Sequence, residues 1–426
     1  GQSYVAASEL TGAVAYSGTN ASQIIQSAID GTFSKGRGHV HIKEGDYDIT
    51  NTIILRNGIT LTGKYKWTQL KAKNLAGDIL KTADGAQNIQ VENLVLWGRR
   101  DQADGQSSGN GLYIYGDGSG YRARISNLII SHVKENGIKI GGSNGQTTGT
   151  DMHIFNNAIS NNGEDGIHVG TATGSGNDIV IESNTIHENV GHGIHSQYGS
   201  GLQVIGNNIY GNHEEGILDE SEGQNLYENN KINANYKEGI KAGYPNRNQY
   251  IGNQLISNSY LGDNLYAQLR IESFILGRAR YNIVKGNYIG NYPNTNPKAH
   301  CGILLGGRAD YNIISGNILP SDEFYTKAMV LVGSNNIVKD NIGFVTENSG
   351  TATIANNEWV PHGLASTPTV VIVTTRTPTY GLPALPVIIG VVRQNATHFQ
   401  VSAYLTNGKA ITADAINISW HAEYKP

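Results

Sequence analysis

Two stretches decide the fold: Asn207-Asn-Ile-Tyr-Gly-Asn-His-Glu-Glu-Gly-Ile217 and Asn230-Lys-Ile-Asn-Ala-Asn-Tyr-Lys-Glu-Gly-Ile240. Each opens on an asparagine ahead of a short apolar-alternating run and closes on Gly-Ile. Working outward, asparagines in this setting recur at Asn93, Asn127, Asn157, Asn184, Asn253, Asn287, Asn317 and Asn341, at intervals of 23 to 34 residues. Gly-Ile keeps the same beat at Ile138, Ile167, Ile194 and Ile303. Self-similarity at a near-constant period marks a repeat architecture. The runs alternate with period two and are broken by Asn and Gly, so the repeating unit is a coil of strands. Stacked coils would set each Asn over the next at one strand spacing, roughly 4.8 Å, where side-chain amides bond up a ladder. Asn also tolerates the left-handed backbone that a bend between strands requires. The predicted fold is all-β, a right-handed parallel β-helix over 1–346.

The two ends read differently. Residues 19–31 form an amphipathic helix, with Asn20 and Gln23 as a capping box, Ile24, Ile25, Ala28 and Ile29 as its apolar face and Gly31 as its stop. Within an N-terminal cap of residues 1–37 it would cover the open core of the first coil. After Asn341 the rhythm stops. Glu347-Asn-Ser-Gly reads as a linker, and 351–426 as a small antiparallel β-sandwich built on runs such as Thr369-Val-Val-Ile-Val-Thr and Val387-Ile-Ile-Gly-Val-Val. The chain's 54 glycines and 10 prolines suit constant turning with paired strands. A net charge of −4 gives no case for nucleic acid, and the single Cys301 excludes an intramolecular disulfide framework. No apolar run reaches membrane-spanning length. The start at Gly-Gln-Ser-Tyr shows no signal peptide, as expected if one has been removed.

A short helix, then Gly38-His-Val-His-Ile-Lys-Glu-Gly-Asp-Tyr-Asp-Ile, then asparagine-bearing coils resembles the pectate-lyase-like superfamily, over about residues 15–345. That superfamily includes pectate lyases, polygalacturonases and other glycanases, epimerases and phage tailspikes. The resemblance implies the fold and a sugar-binding role, and carries no particular reaction, because the group hosts hydrolysis, elimination, epimerisation and plain binding. His362-Gly-Leu with Thr367-Pro-Thr-Val-Val-Ile-Val-Thr resembles terminal β-modules of viral fibre proteins. Those modules trimerise or bind sugar, which implies a homo-oligomer, a trimer, joined through the C-terminal module.

Insertions place the working side. Extra residues at 97–110, 143–150, 171–177, 259–266 and 291–300 flank the Gly-Ile strand and never the Asn bend, so that strand's outer face forms a groove floor. Alternation turns Tyr113, Lys139, His168, His195, Leu218, Lys241, Arg270 and Leu304 outward, with Gln197, Glu220 and Glu272 two residues further along. Glu220 and Glu272 fall two rungs apart, roughly 9–10 Å, a separation that suits the acid and base of an inverting glycosidase. Asp219 falls in the inward column, where burial would preserve the proton of a general acid. Asp165, Glu215 and Glu238 precede Gly-Ile in successive turns and read as solubilising rim acids, with Glu215 in reach of the site. Lys241 and Arg270 on adjacent rungs need an anion between them, and Tyr244 and Tyr266 sit on the walls, where aromatic faces stack on sugars. His168 and His195, with His192 close by, read as hydrogen-bonding groups, so no metal or other cofactor is expected.

The expected function is an extracellular or virion-associated glycoside hydrolase that cuts inside a polysaccharide. Asp219 or Glu220 would be the acid and Glu272 the base, with His168, His195, Gln197, Lys241, Arg270, Tyr244 and Tyr266 binding the sugar. Two alternatives stay open: a polysaccharide lyase with Lys241 or Arg270 as base and calcium as cofactor, and a non-catalytic adhesin.

Overall fold

A computed structural model of the chain describes residues 3–8, 11–116, 121–142, 150–170, 176–273, 277–292, 297–376, 387–410 and 416–425. Parts of the wall insertions, at 143–149, 171–175 and 293–296, lie outside the described residues. The chain winds about ten right-handed turns, and three parallel sheets run the length of the coil. The groove sheet holds the Gly-Ile strands, among them Leu112–Tyr115, Ile138–Gly141, Ile167–Val169, Ile194–Gln197, Ile217–Glu220, Ile240–Ala242, Leu269–Ile271 and Cys301–Leu305. Inward residues from all three sheets make one continuous Ile/Leu/Val core from Ile25 to Phe344. The amphipathic helix spans Ala21–Phe33, two residues beyond the expected stop, with Asn20 capping Gln23 N at 3.1 Å. It buries Ile25 and Ile29 against the first coil, and the Gln26 side chain bonds both backbone groups of Ile54, so the exposed sheet edge is satisfied.

The asparagine ladder runs through Asn157, Asn184, Asn207, Asn230, Asn253, Asn287, Asn317 and Asn341, each Nδ2 donating to the next Oδ1 at 2.9–3.1 Å. Asn93 and Asn127 stand one position earlier, and Leu94 and Leu128 occupy the ladder column instead. The left-handed backbone also belongs to the residue before the ladder, such as Ser183 (φ 57) and Asn229 (φ 54), and not to the ladder asparagine. Two further ladders accompany it. Asn162, Asn189, Asn212, Asn235 and Asn258 end on Gln268. Asn225, Asn248, Asn282, Asn312 and Asn336 form the third.

The expected linker at 347–350 is absent. Those residues begin the strand Glu347–Ile354, which pairs along its whole length with Ile416–Glu423. Two three-stranded antiparallel sheets pack around Phe399, Val401, Ile418 and Trp420. This unit is fastened to the last coil: Tyr424 N donates to Thr346 O at 2.8 Å, and the Tyr424 ring packs on Phe344.

Candidate functional site

The groove sheet fixes the floor by its register. Tyr113, Lys139, His168, His195, Leu218, Lys241, Arg270 and Leu304 pair in sequence, so they form one outward column as expected. Gln197 pairs with Glu220, and the same register sets Gly243 between Glu220 and Glu272, two rungs apart. Tyr244 follows the strand Ile240–Ala242 and Tyr266 precedes Leu269–Ile271, so the two stand on opposite walls.

Three groups held by hydrogen bonds and ion pairs occupy the middle rungs. In the first, His195 Nε2 lies 3.2 Å from Glu220 Oε2 while its Nδ1 lies 3.2 Å from Asp165 Oδ2. Asp165 also holds His168 Nδ1 at 2.8 Å, and Gln197 Nε2 donates to Glu220 Oε2 at 3.2 Å. In the second, Glu215 bridges His192 Nδ1 at 3.0 Å and Lys241 Nζ at 3.3 Å. In the third, Arg270 holds both oxygens of Glu272, at 2.7 and 3.0 Å, and reaches Glu238 Oε1 at 3.2 Å.

Burial sorts these carboxylates. The Glu220 side chain is 35% exposed against 14% for Glu272, 9% for Asp165, 3% for Glu215 and 1% for Glu238, so Glu220 is the one that reaches the groove most openly. Asp165, Glu215 and Glu238 are therefore not solubilising rim acids. They are buried beneath the floor and orient the groups above them. Burial raises the Asp165 carboxyl, but hydrogen bonds from His168 and His195 pull it further down, well below the usual carboxylate range. Burial likewise raises Glu215, and His192 and Lys241 outweigh it, lowering the group to about 2. Glu238 is raised by burial and by Glu215, against the pull of Lys241 and Arg270. Burial lowers His195, and its bonds to Asp165 and Glu220 outweigh this, so the imidazole is raised above its ordinary value.

Asp219 points inward, as its column requires, and is buried. It accepts from Ser221 N and Oγ, from Asn225 Nδ2 at 3.1 Å and from Asn248 Nδ2 at 2.9 Å, beside the stacked Tyr227 and Tyr250. The carboxylate is enclosed by core donors on the far side of the sheet from the groove. It closes off the third asparagine ladder and does not reach substrate space, which corrects its expected place as an acid at the groove edge. The sequence carried a signal for the buried acids: the position before Gly-Ile is Asn110 and Asn136 at the low rungs, then turns ionisable at Asp165, His192, Glu215 and Glu238.

Asp165, His192 and His195 also offer three ligand atoms within 4.8 Å of one another. That nitrogen-rich set suits a zinc-type ion and not calcium, which takes oxygen ligands.

Residues 110–273 match the family model described as right handed beta helix region. That match covers the middle coils, and the chain as described folds as a right-handed parallel β-helix. No curated protein sequence matches it. Among solved structures, this β-helix protein is similar to the A-module of the Azotobacter vinelandii mannuronan C-5 epimerase AlgE6, at 19% identity and TM-score 0.61, with 76% of this chain and 95% of that one covered. It is also similar to the Dettilon tailspike protein gp208, at 14% identity and TM-score 0.58, covering 95% and 91% of the two chains. PfbA, a surface adhesin of Streptococcus pneumoniae, aligns at 14% identity and TM-score 0.54, over 81% and 94%. At such identities the likeness is one of fold. Among the described residues no helix is long and apolar enough to cross a membrane.

Proposed function

We propose that this β-helix protein hydrolyses glycosidic bonds inside a polysaccharide, with Glu220 as general acid and Glu272 as general base. The observation that carries the reading is the chain Asp165–His195–Glu220: a buried carboxylate holds an imidazole against the most open carboxylate of the floor. When a bound glycan excludes water, the His195 proton passes to Glu220 Oε2, and Glu220 delivers it to the departing sugar oxygen. Water enters from the Glu272 side, attacks the anomeric carbon and gives its proton to Glu272, which the Arg270 guanidinium holds in place. The two-rung separation, roughly 9–10 Å between the backbones, leaves room for that water and makes inversion the expected outcome. His195, with Asp165 and His168 behind it, positions the acid. Gln197, Lys241, Tyr244 and Tyr266 line the sugar's path.

The fold likeness to proteins named as an epimerase, a tailspike and a surface adhesin supports a polysaccharide partner and an extracellular or virion-borne setting. Exposed Ile372, Ile388 and Val392 on the C-terminal sheets support joining of protomers there. Elimination is less favoured, because Lys241 and Arg270, its candidate bases, are already paired with Glu215, Glu238 and Glu272. A calcium-assisted lyase and a non-catalytic adhesin remain outcomes of the test. A polysaccharide panel assayed for reducing ends and for unsaturated product separates them: hydrolysis yields the first alone, elimination yields both and an adhesin yields neither. Unchanged turnover in both Glu220→Gln and Glu272→Gln would overturn the assignment.

A further inference from the structure

The low end of the groove carries two cations of a kind not seen elsewhere on the floor. Lys81, Tyr113 and Lys139 pair on three consecutive rungs, just before His168. Lysines on neighbouring faces are neutralised, Lys71 by Asp46 and Lys73 by Asp48, and Lys241 on the floor faces Glu215. Among the described residues, neither Lys81 nor Lys139 is paired with a carboxylate. They lie against aromatic rings instead: Lys81 Nζ is 3.9 Å from the Tyr115 ring centre and 5.3 Å from that of Tyr113, and Lys139 Nζ is 5.6 Å from Tyr113. Tyr113 and Tyr115 meet edge to face at 5.3 Å. All four side chains are half-buried, so their positions are held while their tips face the groove.

We infer that this platform binds a glycan bearing an anionic group, carboxylate or sulfate, on alternate sugars, with a neutral ring stacked on Tyr113 between two acidic neighbours on Lys81 and Lys139. The spacing carries the argument. Lys81 and Lys139 are two strand spacings apart, roughly 9–10 Å, the span of two linked pyranose rings in an extended chain. Tyr113 fills the rung between them. A homopolymer acidic at every ring would place a charge over Tyr113, which offers no cation. A neutral glycan would leave two partly desolvated ammonium groups without a counter-charge.

The inference rests on the groove being a glycan site, and a binding measurement keeps its failure distinct from failure of the hydrolytic reading. Titration calorimetry would compare three oligosaccharides of equal length: an alternating uronate/N-acetylhexosamine chain, a homouronate and a neutral glucan. The alternating chain should bind best, with an affinity that falls as salt rises. In Lys81→Gln/Lys139→Gln its affinity should fall at least tenfold, while Lys81→Arg/Lys139→Arg retains most of it. Equal binding of the neutral chain, tighter binding of the homouronate, or unchanged binding by the glutamine variant would each overturn the inference. None of these readouts depends on turnover.

Discussion

His195 Nε2 stands 3.2 Å from Glu220 Oε2, and the same imidazole's Nδ1 stands 3.2 Å from the buried Asp165. Each of the three residues comes from a different coil or strand position, yet the register of one sheet brings them into a single line. Two carboxylates flanking an imidazole favour its charged form, and only one of them opens to the groove. The outer one can therefore receive a proton, while the inner one fixes the ring.

A pH profile follows from that charge. His195 has a folded pKa raised above its ordinary 6.5, so its imidazolium is lost as pH rises through that raised value. Turnover should thus fall on an alkaline limb whose midpoint lies above 6.5. In His195→Gln this limb should vanish and kcat should drop by about 10²–10⁴, with KM little changed. An unaltered limb measured in that variant would remove His195 from the proton path.

Glu215 offers a stability test with the opposite sign. Its carboxyl is lowered to about 2, so its stabilising contribution is full above its ordinary 4.5 and is lost as pH falls toward 2. Glu215→Gln removes the buried carboxylate that His192 and Lys241 face and should cost about 1–3 kcal/mol near neutral pH. Urea denaturation at pH 7 and at pH 3 should show the difference between wild type and variant shrinking at the lower pH.

Asp219 separates structure from chemistry. Asp219→Asn replaces an acceptor of Ser221, Asn225 and Asn248 with a group that also donates. The melting temperature should fall while kcat of the folded protein stays within a few-fold of wild type. A loss of turnover by orders of magnitude with an unchanged melting temperature would return Asp219 to the catalytic assignment.

The ladders should behave as one material. Asn207→Ala and Asn235→Ala, in different ladders, should each cost about 1–3 kcal/mol, because each strands the buried amides above and below. Asn127→Ala, outside the ladder column, should cost less. Chemical denaturation of the three variants checks the order.

Truncation after residue 346 should expose Phe344 and the end of the core, which Tyr424 now covers. Light scattering should then show aggregation or a changed oligomeric mass, with the groove rungs intact by circular dichroism.

The repeats alone determined the solenoid, the capping helix and the outward column of the groove. Each of these depends on local period: alternation chooses the face, and a residue at the same phase in successive coils must stack. The Glu220–Glu272 register was legible for that reason. Other features were decided only in three dimensions. Asn93 and Asn127 share the sequence setting of the ladder but sit one residue out of phase with it, because they take the left-handed bend position themselves and leave the ladder place to Leu94 and Leu128. Asp165, Glu215 and Glu238 look like exposed acids beside glycine, and only the closed turn shows them under the floor, paired with groups from neighbouring coils. Glu347 begins a strand because its partner is Glu423, 76 positions away in the chain. Burial and ion pairing depend on which coils lie above and below, and no single period of the sequence contains that relation.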